Sequence, residues 1–305
     1  MNPRSRVYSV EWPTLGLICL TYVSWGLLTT STTILPLWLS IPLLAVVLVL
    51  HSSLQHEAVH GHPFPNKRLS EAVMTPGVGL VIPYARFRDL HLAHHMDSNL
   101  TDPYDDPESH YFAPDQFYRF PAPVRWLLRA NNTFAGRLIL GPAIGMEGFW
   151  RTELSLLKQN APGVRAAWAV HLATVVPVLL IIAHPVTLPL WAYALAVYIS
   201  LSILKIRTFV EHQAHEMASG RSVIIEDRGL LAFLFLNNNL HAVHHMHPKV
   251  AWYDLPALYR TRRAEYLRRN RGYHFPSYTA VARRFLLSPK EPVPHPLSDT
   301  FRRDV

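Results

Sequence analysis

Cysteine is almost absent from this chain: Cys19 is the only one in 305 residues. The protein therefore has no disulfide, no thiolate zinc site and no iron–sulfur cluster of its own. Charge is also scarce, at 16% of residues, and two long stretches have none at all. Asp, Glu, Lys and Arg are missing from Trp12 to His56 and again from Ala166 to Leu204. No glycine-rich nicotinamide or flavin motif, nucleic-acid motif or internal repeat is present. The first apolar run is too long for a secretion signal and no small-residue cleavage site follows it, so no cleavable signal peptide is expected.

What the chain does have is hydrophobic residues, which make up half of it. A membrane-spanning helix needs about 20 mostly apolar residues, so each uncharged run holds two. Ser31-Thr32-Thr33 and His184-Pro185-Val186-Thr187 interrupt the runs near their middles. The expected fold is an all-α integral membrane protein, a single domain over 1–305. It has four transmembrane helices near 14–31, 35–52, 166–183 and 188–206, arranged as two hairpins. A cytosolic helical cap (53–165 and 207–305) would hold a di-metal site. The apolar patches Met74 to Ile82 and Leu230 to Leu240 are too short to span and suit interfacial or cap helices.

Both hairpin loops lack Lys and Arg, whereas Arg4, Arg6, the segment from Arg86 to Arg165 and the tail are rich in them. The positive-inside rule then places both termini and the polar mass in the cytoplasm. From Lys249 onward the tail carries 12 Lys or Arg against 5 Asp or Glu, most of the chain's formal +8. Such a tail suits an anionic membrane surface, or is a solvated segment that only sets topology. Nucleic acid is not an expected partner.

Histidine is the unusual residue, with 18 copies. Many of them fall in four groups: His56-Glu57-Ala58-Val59-His60, His91-Leu92-Ala93-His94-His95, Glu211-His212-Gln213-Ala214-His215 and His241-Ala242-Val243-His244-His245. The pattern HxxHH occurs twice; at this histidine frequency chance would give it about 0.06 times. Residues three and four apart share a helical face, so each motif offers two or three imidazoles to a common point. His56 lies six residues past Leu50, about 9 Å of helix, which puts it just beyond the second span. For His171, His184, His274 and His295 an ordinary hydrogen-bonding role is expected, and His62, His110 and His247 are also read as non-ligands. His51 either lines a cavity or sits in the interface.

The first group alone is HExxH, a zinc peptidase pattern in which Glu57 would activate water. A catalytic zinc takes three protein ligands, however, and the favoured members of the groups number nine: His56, His60, His91, His94, His95, His212, His241, His244 and His245. Two metals are implied. Imidazole alone does not choose between zinc, copper, iron and nickel. Two metals on neutral nitrogen, without thiolates and beside a membrane, suit an oxygen-activating iron pair.

HEAVH, HLAHH and HAVHH resemble the histidine boxes of the membrane fatty acid desaturase and hydroxylase superfamily. The most specific part is NNNLHAVHHMHPKVAWYDLP, from Asn237 to Pro256. The resemblance runs from about His51 to Pro256. It implies a mushroom-shaped protein with four membrane helices, two non-haem iron ions cycling between Fe2+ and Fe3+, and O2 as co-substrate. An oxidant formed there removes hydrogen from an unactivated C–H bond; loss of a second hydrogen gives an alkene, and return of hydroxyl gives an alcohol. The family's additional histidine maps onto His212 within Arg207-Thr208-Phe209-Val210-Glu211-His212, with His215 as the competing assignment.

Glu57 and Glu211 are candidates to orient a ligand by accepting its second N–H. In the acidic run after the second box Asp97 and Asp102 are the candidates, while Asp105 and Asp106 read as a solvated Asp-Pro turn. Asn237, Asn238 and Asn239 pose the same choice, and Asn238 is favoured. Neither end shows a fused haem-binding cytochrome domain, so electrons are expected from a separate ferredoxin, rubredoxin or cytochrome with its reductase, docking on the basic face. The expected reaction is desaturation of a lipid-like acyl chain. Hydroxylation or ketolation of a lipid, alkane or carotenoid is the alternative within the family, and zinc proteolysis the alternative outside it.

Overall fold

A computed structural model describes residues 9–30, 35–96 and 100–297. The helices are α1 (Trp12–Thr30), α2 (Leu37–Val59), α3 (Lys67–Met74), α4 (Tyr84–Met96), α5 (Pro114–Arg119), α6 (Ala122–Asn131), α7 (Phe134–Lys158), α8 (Val164–Ile182), α9 (Leu190–Thr208), α10 (Leu230–Leu234), α11 (His241–Met246), α12 (Leu255–Thr261), α13 (Arg263–Arg269) and α14 (Tyr278–Phe285). One short parallel pair joins β1 (Ile224–Ile225) to β2 (His274–Phe275). Four helices are long and apolar enough to cross a membrane: α1, α2, α8 and α9. They match the four expected spans to within a few residues, except that α2 continues to Val59 and so carries His56 on its last turns. The patch from Met74 to Ile82 differs from expectation: helix α3 ends at Met74 and residues 75–83 are non-helical.

By contacts the chain forms two compact units, residues 1–89 with 147–201, and residues 90–146 with 202–305. Helices α4, α7 and α9 run from one into the other.

In the first unit α1 packs on α2. The core is apolar: Leu44, Ala45 and Leu48 of α2 meet Val178 and Ile182 of α8 and Ala192, Tyr193 and Ala196 of α9. No water competes in such a setting, so irregular backbone is tolerated only where the protein itself satisfies it. The end of α3 and the non-helical stretch after it illustrate this, because side chains from all four apolar helices serve their carbonyls. Tyr22 of α1 donates to Val73 O at 2.7 Å and Gln55 of α2 to Met74 O at 3.0 Å. Thr174 and His171 of α8 donate to Thr75 O at 3.4 Å and Leu80 O at 2.9 Å. Tyr193 of α9 donates to Val78 O at 2.6 Å and accepts from Trp25 Nε1 at 2.8 Å. His171 is thus the hydrogen-bonding core histidine that the sequence suggested. Gly77 permits the close approach, since a Cβ there would stand 2.5 Å from Val175 Cγ2.

The same unit anchors the start of α4. Arg86 makes three hydrogen bonds to Glu153 of α7, at 2.9 to 3.0 Å, and Trp168 of α8 donates to the same carboxylate at 2.9 Å. Glu153 is 1% exposed, so its charge depends on these partners.

In the second unit, Ile224 of β1 packs with Leu240, Val243, Leu255, Tyr259 and Tyr266 around α11 to α13. Phe117, Leu128 and Val293 form a smaller cluster. The patch from Leu230 to Leu240 yields only the five-residue helix α10.

Replacing Arg86 by Ala leaves a buried carboxylate without its counter-ion, and we expect a loss of about 3–5 kcal/mol. Thermal unfolding of the protein in lipid nanodiscs checks this. The double variant Arg86→Met, Glu153→Leu should recover most of the loss.

Candidate metal centre

Helix α4 presents His91, His94 and His95, and α11 presents His241, His244 and His245. His212 comes from the segment that leaves α9, where it bridges to Ser222. In the second unit these seven rings sort into two groups. The first comprises His94, His212, His241 and His245, whose ligand atoms all lie within 4.8 Å of one another. Its Nε2 atoms face inward: His94 to His212, His241 to His212 and His245 to His241 are each 3.0 Å apart. The second comprises His91, His95 and His244, also mutually within 4.8 Å, with His95 Nε2 and His244 Nε2 at 3.1 Å. The groups are adjacent, since the rings of His95 and His245 stack at 4.2 Å.

Each HxxHH helix is therefore split. From the spacing all three rings were expected to reach one point, but an α-helix turns about 100° per residue, so positions i and i+4 nearly align while i+3 diverges. His91 and His95 go to one group and His94 to the other; His241 and His245 go to one group and His244 to the other. In the first unit, the HExxH pair His56 and His60 lies at the end of α2 with ring centroids 4.9 Å apart. Glu57 Oε1 stands 3.8 Å from His56 Nδ1.

The outward ring nitrogens set the tautomers. His94 Nδ1 donates to Asp106 at 2.8 Å, His91 Nδ1 to Glu108 at 3.0 Å and His241 Nδ1 to Asn238 Oδ1 at 3.0 Å. His212 Nδ1 is 3.3 Å from the Ser222 hydroxyl. With Nδ1 carrying the proton, Nε2 keeps its lone pair for the centre, the arrangement metal-bound histidines use.

Electrostatics agree. Burial, reinforced by the neighbouring histidines, holds His212, His241 and His245 well below the ordinary imidazole range, and His95 is lowered to about 3 by burial and by His91 and His94. Neutral imidazole is the ligating form. At His94 burial opposes the cation, but Glu108 and the Asp106 hydrogen bond prevail and raise it to about 9. Burial likewise opposes the Glu108 carboxylate, yet His94 and His91 hold it well below the usual range. The carboxylates therefore favour positive charge where four lone pairs converge. This donor set fits a metal cation.

Sequence reasoning had treated Asp106 as part of a solvated turn. It is instead 5% exposed and also accepts from the backbone N–H of Thr101 at 2.8 Å and of Glu108 at 2.9 Å. Asp102 makes the turn itself, accepting from the N–H groups of Tyr104 and Asp105 at 2.7 and 3.2 Å. Asp97 lies outside the described residues. Glu211 pairs with Arg207 at 2.8 Å and stands 3.8 Å from His241 Nδ1. Burial raises its carboxyl, although Arg207 opposes this. His215 belongs to neither group; its Nδ1 accepts from Met217 N–H at 3.0 Å. Asn237 and Asn239 hold backbone carbonyls at Trp252 and Ile225, so only Asn238 of the three reaches a clustered histidine. His62, His110, His247, His274 and His295 have other partners: Glu11, Thr208 O, Tyr266, Glu226 and Thr101. His51 is buried beside the Tyr22 hydroxyl at 3.3 Å.

A chain segment with no motif was missed altogether. After α14 the backbone returns along the site, bonding Lys290 N to Asn132 O, Phe112 N to Val293 O and His295 N to Phe112 O. Lys290 Nζ donates to the carbonyl of His212, and Glu291 accepts from the Tyr111 hydroxyl and from Ala214 N–H. Only the position of a lysine in a Pro-rich tail was available to signal this.

Comparison with known proteins supplies one further finding. No curated protein matches the chain. The family model described as fatty acid desaturase matches residues 32–277, which includes every histidine of the two groups, the HExxH pair and three of the four apolar helices. By that match the chain belongs to the fatty acid desaturase family.

Proposed function

We propose that this protein is a membrane-embedded di-iron, O2-dependent oxidoreductase that introduces a double bond into the acyl chain of a lipid-like substrate. Membership of the family makes it an oxidoreductase of the desaturase and hydroxylase type, with helices suited to the membrane and histidine clusters compatible with metal. The observation that carries the finer reading is the pair of adjacent imidazole groups, one of which turns its Nε2 atoms inward.

We assign His94, His212, His241 and His245 to one iron. His91, His95 and His244 serve the other, and by sequence His56 and His60 complete that set. Two irons, when bound, supply O2 activation and removal of hydrogen from an unactivated C–H bond. The protein's part is to aim the rings. Asp106 and Glu108 fix the Nδ1–H tautomers of His94 and His91, Asn238 does the same for His241, and burial holds His95, His212 and His245 below the ordinary imidazole range. A zinc protease built on HExxH gives no role to the four-histidine group, which contains neither His56 nor His60.

The lysine- and arginine-free apolar loops support a cytoplasmic location for both termini and the metal site. A separate ferredoxin, rubredoxin or cytochrome would supply electrons against the basic face. Lipid profiles of cells with and without the gene test the reaction itself. A double bond is expected; an added hydroxyl or keto group would move the assignment to the hydroxylase or ketolase branch.

Elemental analysis of the purified protein should give about two irons per chain, and one zinc without iron would overturn the reading. His94→Ala and His244→Ala should each lose iron and activity, because each removes a ligand from a different group. Asp106→Asn should weaken iron retention about 10- to 100-fold against chelator, whereas Asp102→Asn, which touches only backbone, should leave retention near wild type. Lys290→Met should lower iron retention with little change in the other backbone contacts of the tail, and Lys290→Arg should restore part of it; equal retention in all three would show that the tail does not hold His212.

A further inference from the structure

The first unit contains a cavity of about 280 Å³ whose lining includes none of the clustered histidines. Its lining divides by chemistry. Gly163, Ala166, Ala167 and Val170 are on or next to the first turns of the apolar helix α8, and Val170 is exposed on that helix. Opposite in character are Glu71, Arg88 and Asp89, at the ends of α3 and within α4. Between them are Tyr84 and His171.

Those two residues are the unusual feature. Tyr84 is 5% exposed and His171 3% exposed, yet the Tyr84 hydroxyl and His171 Nδ1 are buried without a hydrogen-bond partner. Buried polar atoms in native proteins are nearly always paired, so an orphan beside a cavity points to something that occupies it. The tautomer of His171 is fixed, because Nε2 donates to Leu80 O at 2.9 Å. Nδ1 is therefore an acceptor awaiting a donor.

The charges narrow the occupant further. Arg88 is already held by Glu71 at 2.9 Å and by Asp89 at 2.8 Å, and Lys67 pairs with Glu71 at 3.7 Å, so the charges around the cavity are already matched. An anionic head, such as a phosphate or a fatty carboxylate, finds no spare counter-ion there. The unmet acceptor on His171, together with the Tyr84 hydroxyl, suits a head group that donates hydrogen bonds. Because one wall is the end of a membrane-suited helix, the molecules that reach it are amphiphiles.

We propose that this cavity is a binding site for the donor-bearing head, hydroxyl or ammonium, of a single-chain amphiphile lying along α8. The site stands apart from the metal assignment and does not rest on it.

The test uses the full chain in phosphatidylcholine nanodiscs, with unfolding temperature read against four probes: 1-monooleoylglycerol, oleylamine, oleate and methyl oleate. The first two should raise the unfolding temperature, and the last two should not. Tyr84→Phe removes a hydroxyl that no other group uses, so it should fold normally while weakening the response to monooleoylglycerol about tenfold. Ala166→Phe, at an exposed position of the wall, should abolish the response. A response to none of the probes would mean that water alone fills the cavity and would overturn the proposal. Equal responses to all four, or an unchanged response in both variants, would overturn it as well.

Discussion

Imidazoles do not gather of their own accord. Among the four Nε2 atoms of the first group three pairs stand 3.0 Å apart, bringing ring nitrogens together that would otherwise be solvated separately. The arrangement persists only if the surrounding protein holds each ring from behind. Asp106, Glu108, Asn238 and Ser222 do so at the outward nitrogens. They are in turn held by turns and by backbone: Asp106 by two N–H groups, and Asn238 between two asparagines that brace the loop against Trp252 and Ile225. The second unit can be understood as a series of supports, each making the one inside it rigid.

The first unit meets a different demand with the same tactic. Its apolar helices turn polar side chains toward the end of α3 and the non-helical stretch after it. Tyr22, Gln55, His171, Thr174 and Tyr193 serve the carbonyls of Val73, Met74, Leu80, Thr75 and Val78, and leaving such a group unpaired costs about 1–3 kcal/mol. Beside that stretch, Arg86 is fastened to Glu153 within the first two turns of α4. The same rigid helix carries His91, His94 and His95 five to nine residues further on. Anchoring its beginning limits rotation about its axis, and rotation is what would misdirect the three rings.

Much of this was legible in the sequence, for reasons that also explain what was not. Uncharged runs of this length point to helices long and apolar enough to span, and clustered histidines at helical spacing are rare by chance, so α1, α2, α8, α9 and the clustered rings could be read directly. Loop partners could not. Asp102, Asp105 and Asp106 look alike in composition, and only the turn made by Asp102 decides that Asp106 points inward. Lys290 was invisible because its contact depends on the tail folding back over nearly eighty residues to reach His212. The stretch from Met74 to Ile82 read as a short helix because apolarity was the only signal, whereas its backbone is held by side chains distant in sequence.

The split of the two HxxHH helices shows why the motif has that form. An i, i+4 pair alone serves one metal, which is all that HExxH provides. Adding a histidine at i+3 turns a third ring roughly 100° away from the last, toward a neighbouring centre. Two such helices, α4 and α11, exchange rings so that each gives a pair to one group and a single ring to the other. Within the second unit this produces three rings on each side, and His212 adds a fourth to one of them. The other side is left with His91, His95 and His244, and the unspent i, i+4 pair of the chain is His56 with His60. Moving either HxxHH by one residue would send all three rings to the wrong partners at once. The spacing of the boxes therefore suits two histidine groups shared between two helices, and a single group would have no use for it.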